Sequence, residues 1–304
     1  MYSIVGSGFG LYGYLPAIIK LHGNQSVVLP EKYRKKLLDR KELSEFDKDI
    51  LWVKDSNDAL AKTTELIIAT PPHIQYNIVK KIINETNIRS LVLEKPIAPT
   101  VEMSDDLLDF LDMHKVNYVI GYSFCYLNLQ TKFDSIIRAN QDIYWSWEFM
   151  AHHFSMNLRN WKRFHDSGGG VLRFYGIHMI AFLSTLGYNN VINSVLQEAN
   201  PKEPYTWKAS ISGDGLPTCH LMVNCKSSKD VFDIGNAKFG KIVSSKDPFN
   251  LISDDFGQLD RRVFILTKTL NKDLYREYKI SSVYRSINNL WKEFERVTKV
   301  VNIS

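Results

Sequence analysis

The chain passes from an apolar segment, Ile4-Val5, into a glycine-rich stretch, Gly6-Ser7-Gly8-Phe9-Gly10-Leu11. In a dinucleotide-binding turn the first glycine permits a tight reversal, and the second lets the backbone approach a pyrophosphate at a helix N-terminus. We prefer this register because Gly6 directly follows the apolar segment. The stretch Gly8-Phe9-Gly10-Leu11-Tyr12-Gly13 also matches G-x-G-x-x-G and remains an alternative. Both registers predict a dinucleotide-binding turn, and a purely structural turn is the competing interpretation.

Short apolar segments alternate with helical patterns through residues 1–120. The predicted strands are Ser3–Val5, Ser26–Leu29, Leu66–Ala69, Ser90–Leu93 and Tyr118–Ile120. The helical stretches lie near Leu15–Leu21, Glu31–Leu38, His73–Ile83 and Met103–His114. Continuous apolar strands that alternate with helices indicate a parallel sheet covered on both faces. We therefore predict an α/β fold with a doubly wound first domain, residues 1–120.

The pattern changes after Gly121. One helical stretch, Val171–Leu186, stands among segments of alternating hydrophobicity, and an amphipathic helix is predicted at Ser282–Val297. The predicted strands are Ile143–Phe149, Val191–Glu198, Trp207–Ile211, Thr218–Cys225, Val231–Asp233 and Val263–Thr267. Tight turns such as Asp214-Gly215 favour antiparallel pairing. Residues 121–304 are thus predicted to form an α+β domain with a large, open, mostly antiparallel sheet.

Composition narrows the class of protein. The 304 residues are 44% hydrophobic and 23% charged, without an apolar run of membrane-spanning length. The three cysteines, Cys125, Cys219 and Cys225, form no CxxC pair, so we expect a reduced, cytoplasmic protein. The formal net charge of +5 arises from residues 121–304, where acids are interspersed. That pattern argues against a nucleic-acid partner and suits either an anionic small molecule or a solvated surface.

An acidic residue about 20 positions after the glycine turn is expected to meet the adenosine ribose. Glu31, directly after the second strand, is the candidate and favours NAD. Lys32, Arg34 and Lys35 follow it and could instead accept the 2′-phosphate of NADP. Glu31 could also simply begin the next helix. We expect NAD(H) or NADP(H) as cofactor, with the balance toward NAD.

Three further motifs identify a family. They are Ala69-Thr70-Pro71-Pro72-His73, Leu93-Glu94-Lys95-Pro96-Ile97-Ala98, and Gly168-Gly169-Gly170 followed by Gly176-Ile177-His178. With the glycine turn, their order and spacing resemble the Gfo/Idh/MocA oxidoreductases, the glucose–fructose oxidoreductase and inositol dehydrogenase family. The motifs are densest over residues 3–125, and the Glu-Lys-Pro turn is the most specific of them.

The resemblance implies a Rossmann domain followed by a domain with a large open sheet, with the nicotinamide ring beside the Glu94-Lys95-Pro96 turn. It assigns Lys95 to the substrate hydroxyl, where it assists proton transfer. It also implies a homo-oligomer, a dimer or a tetramer. The cofactor-binding residues expected from the glycine turn and the resemblance are Gly6, Ser7, Gly8, Phe9, Gly10, Glu31, Thr70, Pro71, Pro72, His73, Glu94 and Lys95.

The chain departs from the family pattern at three places. Phe174 stands four residues before His178, where many members have an aspartate. His178 could still act as a general acid or base, because its ordinary pKa suits that role. Gln75 stands where the family often has histidine, and Ser123 stands where many relatives have arginine. An aromatic ring at position 174 suggests stacking on a sugar face rather than proton relay.

Basic and aromatic residues gather around the triple glycine and suggest a substrate of opposite charge. Such a cluster suits a sugar phosphate, a uronate or a nucleotide sugar, although a basic loop facing solvent is the alternative. The predicted substrate-binding residues are Tyr122, Trp161, Arg163, Arg173, Phe174 and His178. We expect no metal site, because the neighbours His152-His153 and Cys219-His220 point to opposite faces of a strand.

The sequence therefore predicts an NAD(P)-dependent oxidoreductase that transfers a hydride to or from a CH–OH group of a sugar-like substrate, in carbohydrate or polysaccharide metabolism. Lys95 and His178 are the predicted catalytic residues. Two alternatives remain open. One is an NAD(P)-binding sensor or regulatory protein that has lost turnover, and the other is an enzyme that uses tightly bound NAD for transient oxidation.

Overall fold

The computed structural model describes residues 1–252, 257–271 and 280–303. The chain divides into two compact units that are discontinuous in sequence. The N-terminal unit comprises Met1–Ile97, Asp106–Ser123 and the described part of Ile252–Ile280. The C-terminal unit comprises Ala98–Asp105, Phe124–Leu251 and the described part of Ser281–Ser304.

The N-terminal unit contains a six-stranded, fully parallel sheet, as the apolar strands predict. The strand order is β3-β2-β1-β4-β5-β6. The strands are β1 Tyr2–Val5, β2 Val27–Pro30, β3 Ile50–Val53, β4 Glu65–Ile68, β5 Ser90–Leu93 and β6 Asn117–Ile120. The chain reverses its direction of winding between β1 and β4, and ligands of such sheets bind at that switch point. Strand β3 was not predicted, although Ile50–Val53 is a run of four apolar residues; only Ile50 of the four is buried.

Helices accompany these strands and supply the buried faces. They are α1 Leu15–His22, α2 Arg34–Leu38, α3 Lys41–Ser44, α4 Ser56–Ala61, α5 Pro72–Glu85 and α6 Val101–Met113, of which residues 101–105 belong to the C-terminal unit. In α1 the residues Leu15, Ala17 and Ile18 are fully buried against the core formed with β1 and β2. Their burial gives the helix one apolar face, as the sequence period predicts.

The C-terminal unit contains a seven-stranded mixed sheet in the order β12-β11-β7-β10-β9-β8-β13. Most neighbours are antiparallel, whereas the pairs β7–β10 and β8–β13 are parallel. The strands are β7 Ile143–Met150, β8 Asn190–Glu198, β9 Pro204–Gly213, β10 Leu216–Asn224, β11 Lys226–Asn236, β12 Gly240–Ser245 and β13 Lys299–Asn302. The predicted open, mostly antiparallel sheet is thus confirmed, and β12 and β13 are additions to it.

Aromatic side chains fill the covered face of this sheet. Trp145, Trp207 and Phe232 are fully buried on the strands, and Trp291 and Phe294 pack from the last helix. The helices of the described part of the unit are α7 Gln130–Ile137, α8 His152–Ser155, α9 Ile177–Thr185 and α11 Ile280–Val297. The predicted amphipathic helix Ser282–Val297 is therefore present as α11.

One predicted strand is wrong. Residues Val263–Thr267 lie within helix α10, Arg262–Leu270, which belongs to the N-terminal unit. Val263, Leu266 and Leu270 are spaced three and four residues apart, and they are buried in the core that α1 also enters. The segment is too short for its period to separate a helix from a strand, so the neighbouring core decides.

A search of the described helices for one long and apolar enough to cross a membrane found none.

Candidate cofactor and substrate sites

The glycine turn follows β1 at the switch point of the parallel sheet. Gly6 has φ +122°, and a Cβ built on it would lie 2.2 Å from the carbonyl oxygen of Ala69. Only glycine fits such a backbone conformation at such a close approach. The turn then continues through a π-helical segment, Gly10–Tyr14, into α1. Gly6 therefore performs the tight reversal that the preferred register predicts.

Gly8 and Gly10 have different surroundings. A Cβ on Gly10 would lie 2.6 Å from Cγ2 of Ile4, so this glycine allows the turn to pack on β1. A Cβ on Gly8 would meet no described heavy atom within 4 Å, because Gly8 is exposed. The open side at Gly8 is the space that a pyrophosphate needs beside the backbone. The geometry fits a dinucleotide at this turn.

Thr70 provides a second observation in favour of a ligand. It follows β4 and begins the Thr70-Pro71-Pro72 segment that leads into α5. Its hydroxyl oxygen Oγ1 is buried and has no hydrogen-bond partner among the described residues. Buried hydroxyl groups normally have a partner, so an orphaned one beside a candidate ligand site points to a bound group. His73, by contrast, is exposed on the first turn of α5.

The residues after β2 include one exposed acid, Glu31, and two basic residues, Lys32 and Arg34, whose side chains donate hydrogen bonds within the protein. Glu31 directly follows β2, is exposed, and accepts a 3.2 Å hydrogen bond from Arg34. The Arg34 guanidinium also donates two 2.9 Å bonds to Asp47, and these bonds hold the pKa of that carboxyl below its usual range. Lys32 donates to Ser56 Oγ at 2.7 Å. Arg34 is therefore paired with two carboxylates, while its side chain stays 41% exposed.

Two residues that the sequence did not single out contact the glycine turn directly. The Gly6 N–H donates to the Tyr33 hydroxyl at 3.2 Å, and Lys36 Nζ donates to Ser7 Oγ at 2.8 Å. The only signal in the sequence is their position in the basic segment after Glu31. Tyr33 also lines a cavity of about 670 Å³, whose lining includes Val5, Pro30, Lys32, Ser56 and Asn57.

Helix α10 adds a residue from far along the chain. The Arg262 guanidinium lies 4.4 Å from the centre of the Phe9 ring, and Arg262 donates to both oxygens of Asp260 at 2.9 and 2.7 Å. A cation over an aromatic face is attractive when it is partly desolvated. Phe9 is thereby held on the inner side of the glycine turn, and sequence analysis gave no indication of this partner.

Lys95 is the second residue after β5, at the end of the sheet where folds of this kind bind ligands. It is 9% exposed. Its neighbour Glu94 accepts a 2.7 Å hydrogen bond from the Tyr14 hydroxyl. Burial raises the pKa of the Glu94 carboxyl, and the Lys95 charge opposes that rise. A Cβ on Gly121 would lie 2.8 Å from the Tyr14 hydroxyl oxygen and 3.0 Å from Glu94 Oε1, so glycine is needed beside this pair.

In the C-terminal unit, His178 lies on α9 after a π-helical turn, Val171–Gly176. The histidine is 5% exposed, and its ring stacks on Phe124 at a centroid distance of 5.0 Å. The triple glycine shapes the approach to this turn. Gly168 and Gly170 have positive φ, and a Cβ on Gly169 would lie 2.1 Å from the carbonyl oxygen of Trp161.

Phe174 belongs to an aromatic cluster in the same turn. Its ring meets Trp161 edge to face at 5.1 Å and Tyr175 at 4.8 Å, while Lys162 Nζ lies 5.4 Å from its centre. All four side chains are partly exposed. The cluster offers apolar ring faces where the family's aspartate would have offered a charge.

The two predicted substrate-binding arginines are engaged by carboxylates within the unit. Arg163 donates from Nε and NH2 to Glu203 at 3.1 and 2.6 Å, and Glu203 is 3% exposed. Arg173 donates to both oxygens of Glu295 at 2.7 and 3.0 Å, and its NH1 donates to the carbonyls of Pro99 and His165. Both guanidinium groups are therefore already paired with carboxylates, and their geometry does not support the prediction of an anionic substrate.

Burial alone would raise the pKa of Glu295, but the hydrogen bonds from His165 and Arg173 outweigh it and lower the pKa to about 2. His153 shows the opposite situation. It is 3% exposed, and burial, reinforced by Lys162 and Arg163, lowers its pKa to about 4. No group of three or more metal-binding side chains was found among the described residues.

The predicted site residues therefore fall into two sets. The cofactor candidates, Lys95 and Tyr122 belong to the N-terminal unit, and Tyr122 is 2% exposed. The C-terminal unit holds Trp161, Arg163, Arg173, Phe174 and His178. In the N-terminal unit the predicted residues follow strands of the parallel sheet, and in the C-terminal unit they lie on the segment from Trp161 to α9.

Comparison with known families gives one match. Residues 1–122 match the Gfo/Idh/MocA family model, described as an oxidoreductase family with an NAD-binding Rossmann fold. Comparison with curated protein sequences gave no match.

Solved structures share the fold over nearly the whole chain. An oxidoreductase from Thermotoga maritima has a TM-score of 0.72 and 14% identity, with coverage of 97% of this chain and 95% of that one. The 3-ketoreductase KijD10 from Actinomadura kijaniata, in complex with NADP and TDP-benzene, has a TM-score of 0.69 and 10% identity, covering 100% and 99%. A myo-inositol dehydrogenase from Corynebacterium glutamicum has a TM-score of 0.64 and 11% identity, covering 98% and 96%.

At these identities the structural likeness establishes the fold alone. The family match over residues 1–122 agrees with the motifs that carry the sequence resemblance, namely the glycine turn, the Thr-Pro-Pro segment and the Glu-Lys-Pro turn. Residues 1–122 therefore match the NAD-binding Rossmann domain of the Gfo/Idh/MocA oxidoreductase family.

Proposed function

We propose that the protein is an NAD(P)-dependent oxidoreductase that transfers a hydride to or from a CH–OH carbon of a sugar-like substrate. The observation that carries the proposal is Lys95, a nearly buried lysine at the end of β5 in a domain of an NAD-binding oxidoreductase family. When bound, the nicotinamide ring supplies or accepts the hydride. The residues of this chain bind the dinucleotide, orient the substrate and move the proton.

The turn at Gly6–Gly10 would hold the dinucleotide, because Gly8 leaves open space beside the backbone and the buried Thr70 hydroxyl could donate to it. Glu31, directly after β2, would accept hydrogen bonds from ribose hydroxyls. Because Arg34 is neutralised by Asp47, the arginine that would best bind a 2′-phosphate is occupied. This arrangement favours NAD over NADP.

Lys95 acts as the acid–base group at the reacting hydroxyl, and His178 is the second candidate for proton transfer. The partly exposed rings of Trp161, Phe174 and Tyr175 suit the apolar face of a sugar or polyol ring. Two structures of similar fold, a 3-ketoreductase and a myo-inositol dehydrogenase, support a polyhydroxylated ring as the substrate class. Since Arg163 and Arg173 are paired, we propose an uncharged reacting ring.

The resemblance also leads us to propose a homo-oligomer in carbohydrate metabolism. All three cysteines are free thiols, which fits a reducing compartment such as the cytoplasm. The sensor alternative rests on Phe174 in place of the family's aspartate. The transient-oxidation alternative predicts that NAD(H) stays bound through purification and that turnover leaves no net redox change.

The test is NAD(P)H absorbance against a panel of sugars, inositols, sugar phosphates and nucleotide sugars. Lys95→Ala is expected to lower turnover about 10²- to 10⁴-fold, the usual contribution of an acid–base group. Its cofactor affinity should stay within about tenfold, because the glycine turn supplies most of the binding. Turnover by Lys95→Ala equal to that of the parent contradicts the proposal. Tight binding of one panel member without turnover in the parent protein favours the sensor.

A further inference from the structure

A buried glutamine contacts the Lys95 turn from the neighbouring helix. Gln75 lies on α5 and is 0% exposed. Its Nε2 donates to the carbonyl oxygen of Glu94 at 2.6 Å, and its Oε1 accepts from the Glu94 N–H at 3.2 Å. The side-chain amide therefore pairs with one residue's backbone in the way that an adjacent β-strand does.

The pairing begins where the sheet ends. Strand β5 finishes at Leu93, and Lys95 is the second residue beyond it. The Glu94 N–H also donates to Ile68 on β4 at 3.0 Å, so this donor has a partner in the sheet as well. The Glu94 carbonyl receives its bond from Gln75. Nε2 also lies 3.4 Å from the carbonyl oxygen of Pro96, so one amide group reaches the residues on both sides of Lys95.

We infer that Gln75 is a positioning residue for Lys95, which fixes the backbone on either side of the lysine and thereby the direction of its amine. The inference rests on the proposed function, in which Lys95 acts at the substrate hydroxyl. A displacement of a catalytic group by about 1 Å is enough to lower a rate about a hundredfold. A side chain that holds both flanking residues controls a displacement of that size.

The residue type matters for a chemical reason. An amide carries a donor and an acceptor on one carbon, so it can serve the N–H and the C=O of one residue together. A histidine at this position, as in many relatives, has two ring nitrogens pointing apart and can serve one of these groups. Methionine has nearly the same length and neither donor nor acceptor. These two replacements therefore remove the contacts stepwise.

The experiment compares Gln75→Met and Gln75→His with a matched control, Gln130→Met. In the control, an exposed side-chain amide of the other unit loses its hydrogen bond to Asp134. Four quantities are measured on the full chain: kcat, KM, NADH affinity, and acetylation of Lys95 by acetic anhydride across pH, followed by mass spectrometry. Gln75→Met should lower kcat about tenfold to hundredfold, with NADH affinity within about twofold. The rate of Lys95 acetylation at a given pH should change roughly threefold or more, because the surroundings of its amine change. Gln75→His should be intermediate.

Labelling of Lys95 separates this inference from the proposed function. If no panel member is turned over by the parent but labelling of Lys95 changes in the Gln75 variants, the proposed activity fails and the positioning role stands. If labelling in Gln75→His and Gln75→Met matches that of Gln130→Met, the positioning role is overturned, whatever the activity. If Gln75→Met does not fold, Gln75→His decides alone, and a lower melting temperature with unchanged labelling overturns the inference.

Discussion

The Lys95 turn of the N-terminal unit and the triple-glycine region of the C-terminal unit handle charge in opposite ways. At the turn, the nearly buried Lys95 and the partly buried Glu94 are neighbours of opposite charge, and the neutral side chains of Tyr14 and Gln75 bond to the Glu94 carboxyl group and backbone. Around the triple glycine, the arginines are bound to carboxylates, and the partly exposed surface is aromatic. A sequence rich in basic residues therefore does not imply a basic binding site.

The difference has a physical origin. A buried ion pair compensates its own charges, so it stabilises the protein's own structure and leaves no field for a ligand. The pKa of a buried ionisable group depends on the charges and dipoles close to it, so it responds to small changes nearby. Reactive groups are therefore expected at the Glu94-Lys95-Pro96 turn, and an apolar binding surface is expected at the aromatic rings near the triple glycine.

The largest expected effect separates two glycines of the same turn. Gly6→Val should prevent stable folding, because its Cβ would overlap the Ala69 carbonyl and the residue has positive φ. Gly8→Val should fold with an almost unchanged melting temperature and lose NADH binding, since its side chain would fill the open pyrophosphate space. Thermal melting and calorimetric titration with NADH measure both. Unchanged NADH affinity in Gly8→Val would falsify the assignment of this turn.

A smaller effect tests whether Arg163 serves structure or substrate. Arg163→Met leaves the buried Glu203 without its closest cation and should destabilise the protein by about 4 kcal/mol. Substrate KM should change less than about twofold, because the guanidinium is already bound. Urea unfolding and steady-state kinetics provide the two numbers. A large rise in KM with little loss of stability would restore Arg163 to the substrate site.

The smallest effect is the pH dependence that Glu295 contributes. Its pKa falls from 4.5 to about 2 on folding, so its ionised form stabilises the native state. By linkage this contribution, about 3 kcal/mol, is complete above the unfolded pKa and is lost as pH falls through the folded pKa. Glu295→Gln should therefore flatten the stability profile between pH 4.5 and about 2. Urea unfolding at each pH measures it, and a parallel profile in both proteins contradicts the role of Arg173 and His165.

The parallel sheet, the glycine turn and the Glu94-Lys95-Pro96 turn could be predicted from sequence. The sheet and the glycine turn depend on local information, namely the period of apolar residues and a backbone that only glycine adopts, as at Gly6. The Glu94-Lys95-Pro96 turn was predicted from the family resemblance. The aromatic character at Phe174 was also visible, because it rests on residue type alone. The resemblance of the N-terminal domain to the Gfo/Idh/MocA family was visible in short motifs of fixed spacing, and residues 1–122 match that family's model.

Only the tertiary structure decided which partners the charged and polar groups have. Glu295 is 122 residues from Arg173, and Glu203 is 40 residues from Arg163, so no local pattern connects them. Helix α10 was predicted as a strand, because its buried face is determined by packing against α1, which lies about 240 residues earlier in the chain. Gln75 was visible only as a departure from a family pattern, until the fold placed its amide against the backbone of Glu94. The period of apolar residues predicts which face of an element is buried. Pairing between groups far apart in the sequence depends on the tertiary fold that brings them together.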